Sequence, residues 1–260
     1  SSEDIDDFTF SVTIGEPDDG RIKFNENATT QPKYTAGEKG NVLMSRTIKA
    51  GQWSTIVLPF NLTKANATTA FGDDAEFAKF SGFEVDYGDD EENVTPLGIT
   101  INFTTYSIPA RGNLAGGTPV LIKTKKDITK IELDQVTLVN SVNKEEQADE
   151  YGTVGAFIGS FEKTIVPEDG LFISNNKFYY STGKTNIKAF RGWLELGAVL
   201  DKETDFGVKF NFVLDNNPTA IDSIDGEIKN GEIYDLSGRK LNKTSGRGIY
   251  IKDGRKVAVK

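Results

Sequence analysis

The chain has 260 residues, a net charge of -9, and neither cysteine nor histidine. That length buries a sizeable core as one large β domain or two smaller ones, while the two absences exclude disulfides, thiolate chemistry, the usual zinc ligands and every Ser-His or Cys-His nucleophile. The acidic balance argues against nucleic acid as a partner, and no apolar run approaches the roughly 18 residues of a membrane-spanning helix.

Apolar and polar residues alternate with period two between clusters of Gly, Asn and Asp, the pattern of strands. In chain order the predicted strands are 8–14, 41–48, 53–60, 80–87 and 97–108, then 118–124, 128–139, 155–165, 170–181, 189–197 and 207–215. Only 62–72 and 143–152 predict short helical turns. The expected fold is all-β, an antiparallel, jelly-roll-like β-sandwich. Its body covers residues 1–220, with a split into two smaller β domains near 125 as the alternative. The polar stretch 214–230 marks a boundary. Residues 221–260 predict a small C-terminal unit, a strand plus a hairpin turned at Asp253-Gly254, a pair suited to a type I′ turn. Residues 231–260 hold eight Lys/Arg and three Asp/Glu, against 22 and 36 in the remainder. A hairpin this small is marginal alone, so the basic tail is expected to pack on the acidic body or on a partner.

Within 53–60, Ile56, Leu58 and Phe60 share one face and Trp53, Thr55 and Val57 the other. In 189–197, Phe190, Leu194 and Leu196 oppose Arg191, Trp193 and Glu195. Both tryptophans of the chain thus fall on the more polar face of their strands. Either a loop or the tail covers that face, with Arg191 stacked on an aromatic ring, or Trp193, with Tyr179, Tyr180 and Arg191, forms an exposed platform for a sugar ring. No cofactor is implied, but three acidic loops could offer oxygens to calcium. Asp86, Asp89 and Asp90 are the best placed of these, although solvated loops are the default reading. Paired carboxylates running a glycosidase are a further alternative, with no pair singled out by the sequence.

Four stretches resemble one family together. "IKAGQWSTIVLPF" (48–60) resembles a "kaGkWnTlcLPF" pattern, and "LAGGTPVLIK" (114–123) resembles "eAGkPYlIk". "NNKFYY…IKAFRGWLEL" (175–196) resembles "nklYy…ikaFRaYFel". The end, "GEIYDLSGRKLNKTSGRGIYIKDGRKVAVK" (231–260), resembles "iYnLsGqrv…kGiYIvnGkKvivK". Modules with these patterns, in this order, close secreted and cell-surface proteins of Bacteroidota. The tail is also similar to the sorting domains of type IX secretion, and "DSI" at 222–224 fits the O-glycosylation acceptor pattern of these bacteria, with Ser223 as acceptor. The resemblance implies a non-catalytic β module, extracellular or on the cell surface (outer membrane) after export. It would bind or display, with a glycan or a protein as partner and no transmembrane segment. A glycan-binding module is the first alternative and a carbohydrate-active enzyme the second.

Overall fold

The computed structural model describes residues 19–87, 98–197, 209–215, 217–218, 233–234, 240–241, 248–252 and 255–259. In chain order it gives β1 (Ile22–Asn25), β2 (Lys39–Ile48), β3 (Ser54–Ile56), β4 (Leu62–Thr63), α1 (Lys64–Phe71), β5 (Glu76–Asp86), β6 (Gly98–Thr105) and β7 (Asn113–Leu114). There follow β8 (Val120–Lys123), β9 (Ile128–Thr137), β10 (Lys144–Ala148), β11 (Val154–Ser160), β12 (Thr164–Ser174), β13 (Lys177–Ile187), β14 (Arg191–Glu195), β15 (Lys209–Leu214) and β16 (Asn217–Pro218). The C-terminal unit holds β17 (Ile233–Tyr234), β18 (Lys240–Leu241), β19 (Gly248–Lys252) and β20 (Arg255–Val259).

The fold is all-β and sandwich-like. Three sheets build the body, with strand orders β1-β2-β9, β16-β15-β6-β5-β8-β3 and β10-β11-β14-β12-β13. Pairing is antiparallel except for β1 with β2 and β15 with β6, which are parallel. One apolar core lies between the first sheet, α1 and one face of the second sheet. A second core lies between the other face of the second sheet and the third. Strand β8 shows the consequence in three residues: Val120 and Ile122 enter the first core, Leu121 the second. An unbroken apolar run is what a strand buried on both faces requires.

Local chemistry sets the boundaries. Thr63 caps α1 by accepting from Asn66 N at 3.2 Å, and Gly72 ends the helix with φ 91; a hydroxyl before the first turn and a glycine after the last are the favoured caps. Residues 80 and 83 should point to opposite faces of a regular strand, yet Phe80 and Phe83 share the second core. A bulge between Phe80 and Gly82 resets the alternation, and Gly82 takes the φ of 138 that it demands.

Several expectations change; the expected strand 155–165, for one, ends at Ser160, and its last two residues begin β12. Residues 143–152 do not form a helical turn; β10 pairs antiparallel with β11 along Lys144–Ala148. Its charged side chains suit a sheet edge, where unpaired backbone is best kept from further pairing. Residues 170–181 are not one strand but a hairpin turned at Asn175 and Asn176, with φ of 50 and 61; Asn tolerates the left-handed conformation that a two-residue turn imposes. Phe190 does not share a core with Leu194 and Leu196, because its φ of 62 breaks the strand and sends its ring into the first core. The expected strand 8–14 lies outside the described residues. In the C-terminal unit, β19 and β20 pair as the expected hairpin, Lys252 opposite Arg255, and β17 and β18 complete a four-stranded sheet.

Candidate functional site

Strand β2 alternates Val42, Met44, Arg46 and Ile48 toward the interior, all four buried. A charge on the apolar face of a strand demands a partner, because an uncompensated buried ion is far costlier than a buried hydrocarbon. Glu26, which follows β1, is that partner. Its carboxylate receives Arg46 Nη1 at 3.6 Å, Arg191 Nη1 at 2.8 Å and Lys188 Nζ at 3.3 Å. Its backbone is fixed from two sides, Glu26 N donating to Ser45 O at 3.0 Å and Ala189 N donating to Glu26 O at 3.1 Å. The strained Phe190 backbone brings Lys188 and Arg191 to opposite ends of this turn, and Phe190 N is held by Ser160 O at 2.8 Å.

Burial pushes the Glu26 carboxyl up, but the Arg191 and Arg46 charges and hydrogen bonds from Arg191 and Thr47 outweigh it. The net position is below the ordinary Glu value of 4.5. Burial and the nearby Arg191 push Arg46 down to about 9, with Glu26 opposing them. Both groups therefore stay charged at neutral pH. Arg46 also donates to Thr47 O and, from Nη2, to Thr55 O at 2.7 Å. Its Nε finds no acceptor among the described residues.

A cleft of about 250 Å³ opens over this cluster. Arg46, Lys188 and Arg191 line it together with Thr47, Gln52, Ser54, Asn175 and the Trp53 edge. Its walls come from the β2–β3 connection and from the β12–β13 turn with the start of β14. These walls fall largely in "IKAGQWST" and "NNKFYY…IKAFRGW", two of the four resembling stretches. Gly192 fits close to β11, where a Cβ would stand 2.7 Å from Ile158 O, and Gly192 N ties β14 to β3 by donating to Thr55 Oγ1 at 3.0 Å.

The candidate aromatic platform does not assemble at the surface. Trp193 is 8% exposed and its Nε1 donates to Glu195 Oε1 at 2.7 Å. It lies in a small apolar cluster with Val166 and Ile187, beneath the bulged part of β12. Tyr179 is half-buried and stacks on Phe172 at 5.8 Å, whereas Tyr180, next in the strand, packs on the second core. Among the described residues Arg191 stacks on no aromatic ring; it pairs with Glu26. Trp53, 5% exposed, sits in the second core, its N donating to Asn176 Oδ1 at 2.9 Å. Lys123 Nζ lies 5.6 Å from its ring centre.

Asp86 ends β5 and is exposed, and no cluster of three or more acidic side chains suited to a metal occurs among the described residues. Asp89, Asp90 and Ser223 lie outside the described residues. Sequence reading missed Glu26, Arg46 and Lys188. The signal for Arg46 was present, a charge in phase with Val42, Met44 and Ile48; nothing local marked Glu26, which meets its partners only through tertiary contacts.

No helix among the described residues is long and apolar enough to cross a membrane, a statement that leaves β-barrels aside. Compared with models of protein families, with curated proteins and with solved structures, the chain matches none significantly.

Proposed function

We propose that this chain is a non-catalytic binding and display module of a protein exported to the bacterial cell surface. The observation that carries this reading is the cleft over Glu26, because two stretches distant in sequence, both resembling surface-module patterns, converge to form most of it. The sheets on either side hold those walls from two cores, which suits a rigid binding scaffold. The basic C-terminal sheet is the part that resembles a sorting signal, and in this reading it serves export or docking. Labelling of intact native-host cells by an antibody to residues 19–197 tests the proposal. Surface labelling that disappears when residues 228–260 are deleted supports both halves; labelling only after lysis contradicts surface display.

A second reading, glycan binding, is favoured by the hydroxyl and amide groups of Thr47, Gln52, Ser54 and Asn175 that line the cleft. Convergent polar groups in a cleft are what recognition of a sugar needs. This site replaces the Trp193 platform as the place to look. A glycan array with the full chain tests it, loss of signal in Gln52→Ala being the expected mark of this cleft.

A further inference from the structure

The charges at the cleft do not balance. Three cations, Arg46, Lys188 and Arg191, face the single carboxylate of Glu26. The other nearby pair, Lys49 with Asp127 at 2.7 Å, is closed on itself and exposed. Among the described residues, an excess of two positive charges therefore gathers at one partly buried spot, on a chain whose net charge is -9. Arg46 is buried against Glu26, while Arg191 and Lys188 keep 22% and 50% of their side-chain surface in solvent, where an anion in the cleft can reach them. Arg46 is 2% exposed, lines the cleft, and keeps an Nε–H with no acceptor among the described residues.

We propose that this cleft binds an oxyanion, a carboxylate or a sulfate, carried on a single hydroxylated ring such as an acidic sugar residue. The inference rests on the reading of the cleft as the module's binding site. Arg191 and Lys188 supply charge-assisted hydrogen bonds to the anion, and a planar guanidinium matches two oxygens of a carboxylate or sulfate. Gln52, Ser54 and Asn175 then meet ring hydroxyls. The volume of about 250 Å³ is just under the roughly 300–1,000 Å³ of drug-sized sites and holds one ring. Half-exposed Lys188 draws an anion in, whereas Arg46 forms the fixed floor.

Titration of the full chain with glucuronate, glucose 6-sulfate, glucose and inorganic sulfate, followed by backbone amide NMR, tests the proposal. Glucuronate or glucose 6-sulfate is expected to shift the amides of Thr47, Gln52, Ser54 and Asn175, and which binds more tightly tells carboxylate from sulfate. Lys188→Gln, at a half-exposed position, is expected to weaken binding about tenfold without unfolding the protein. Arg191→Gln should weaken it further, with folding checked by the dispersion of the same spectra. No shift with any anion, or equal shifts with glucose, would overturn the oxyanion assignment. Inorganic sulfate binding as tightly as the sugar sulfate would overturn the role of the ring. Neither failure touches surface display, which the labelling of intact cells decides separately.

Discussion

The two faces of the 53–60 segment are both buried, yet they are built differently. Ile56, Leu58 and Phe60, at 0%, 3% and 0% exposure, pack in the first core. Trp53, Thr55 and Val57 are equally hidden, at 5%, 5% and 0%, but polar contacts run through their face. Thr55 accepts from Gly192 N and from Arg46, and Trp53 N reaches Asn176. The difference teaches that a mixed face need not be a wet one. A polar residue can lie in the interior when each group it brings is matched by a fixed partner.

The largest effects should come from emptying either face. Phe60→Ala and Trp53→Ala are each expected to lower stability by about 3–5 kcal/mol in denaturant unfolding, the usual range for a truncated core aromatic. A Trp53 variant that loses well under half as much as the Phe60 variant would break the equivalence of the two faces. Glu26→Gln should lose a comparable amount, about 3–5 kcal/mol, since it leaves Arg46 buried against Arg191 without a counter-charge.

That cluster also sets an acid limb. The folded-state pKa of Glu26 lies below its unfolded value, so its contribution is complete above the ordinary carboxylate range and is lost as pH falls through the lowered value. Thermal melts from pH 7 to 3 should show a steeper loss for the native chain than for Glu26→Gln. Parallel acid limbs would remove Glu26 from the explanation.

Much of the two-faced design was legible in the sequence. Alternation assigned Ile56, Leu58 and Phe60 to a core and put Trp53 and Thr55 opposite them, and that division held. Alternation reports which residues share a face, not what covers it, and so Trp53 and Trp193 read as polar-side residues although both are buried. Covering each face took a separate sheet, paired over long sequence separations that no local pattern encodes. Phe190 was misplaced for a different reason, a left-handed backbone at a bulky residue, which a strand pattern does not foresee. At the candidate site, Arg191 was named for the wrong partner, and Glu26 stayed invisible because only the fold brings it 165 residues along the chain to Arg191.

Smaller changes sharpen the comparison. Thr55→Val keeps the shape but leaves Gly192 N without its acceptor, and about 1–3 kcal/mol is the expected loss. Next to Phe24, Tyr34 donates to Val139 O at 2.9 Å, and burial pushes its hydroxyl up to about 12. A raised pKa favours the protonated form in the fold, so this contribution is complete below the ordinary 10.0 and fades as pH climbs toward 12. Tyr34→Phe should cost about 0.5–1.5 kcal/mol at neutral pH, and a native-minus-variant difference that does not shrink in alkali would contradict the assignment. Lys49→Ala should move the melting midpoint least, since its pair with Asp127 is exposed.

The two-sided burial of the 53–60 segment is tested most directly by collisional quenching of tryptophan fluorescence, because Trp53 and Trp193 are the only two indoles in the chain. Trp193→Phe leaves Trp53 as the sole reporter, and Trp53→Phe leaves Trp193. Both are expected to emit as buried indoles and to resist acrylamide in the folded protein, becoming fully quenchable on unfolding. If Trp53 is quenched in the folded state as readily as in the unfolded chain, its face is open to solvent and the second core does not close over it.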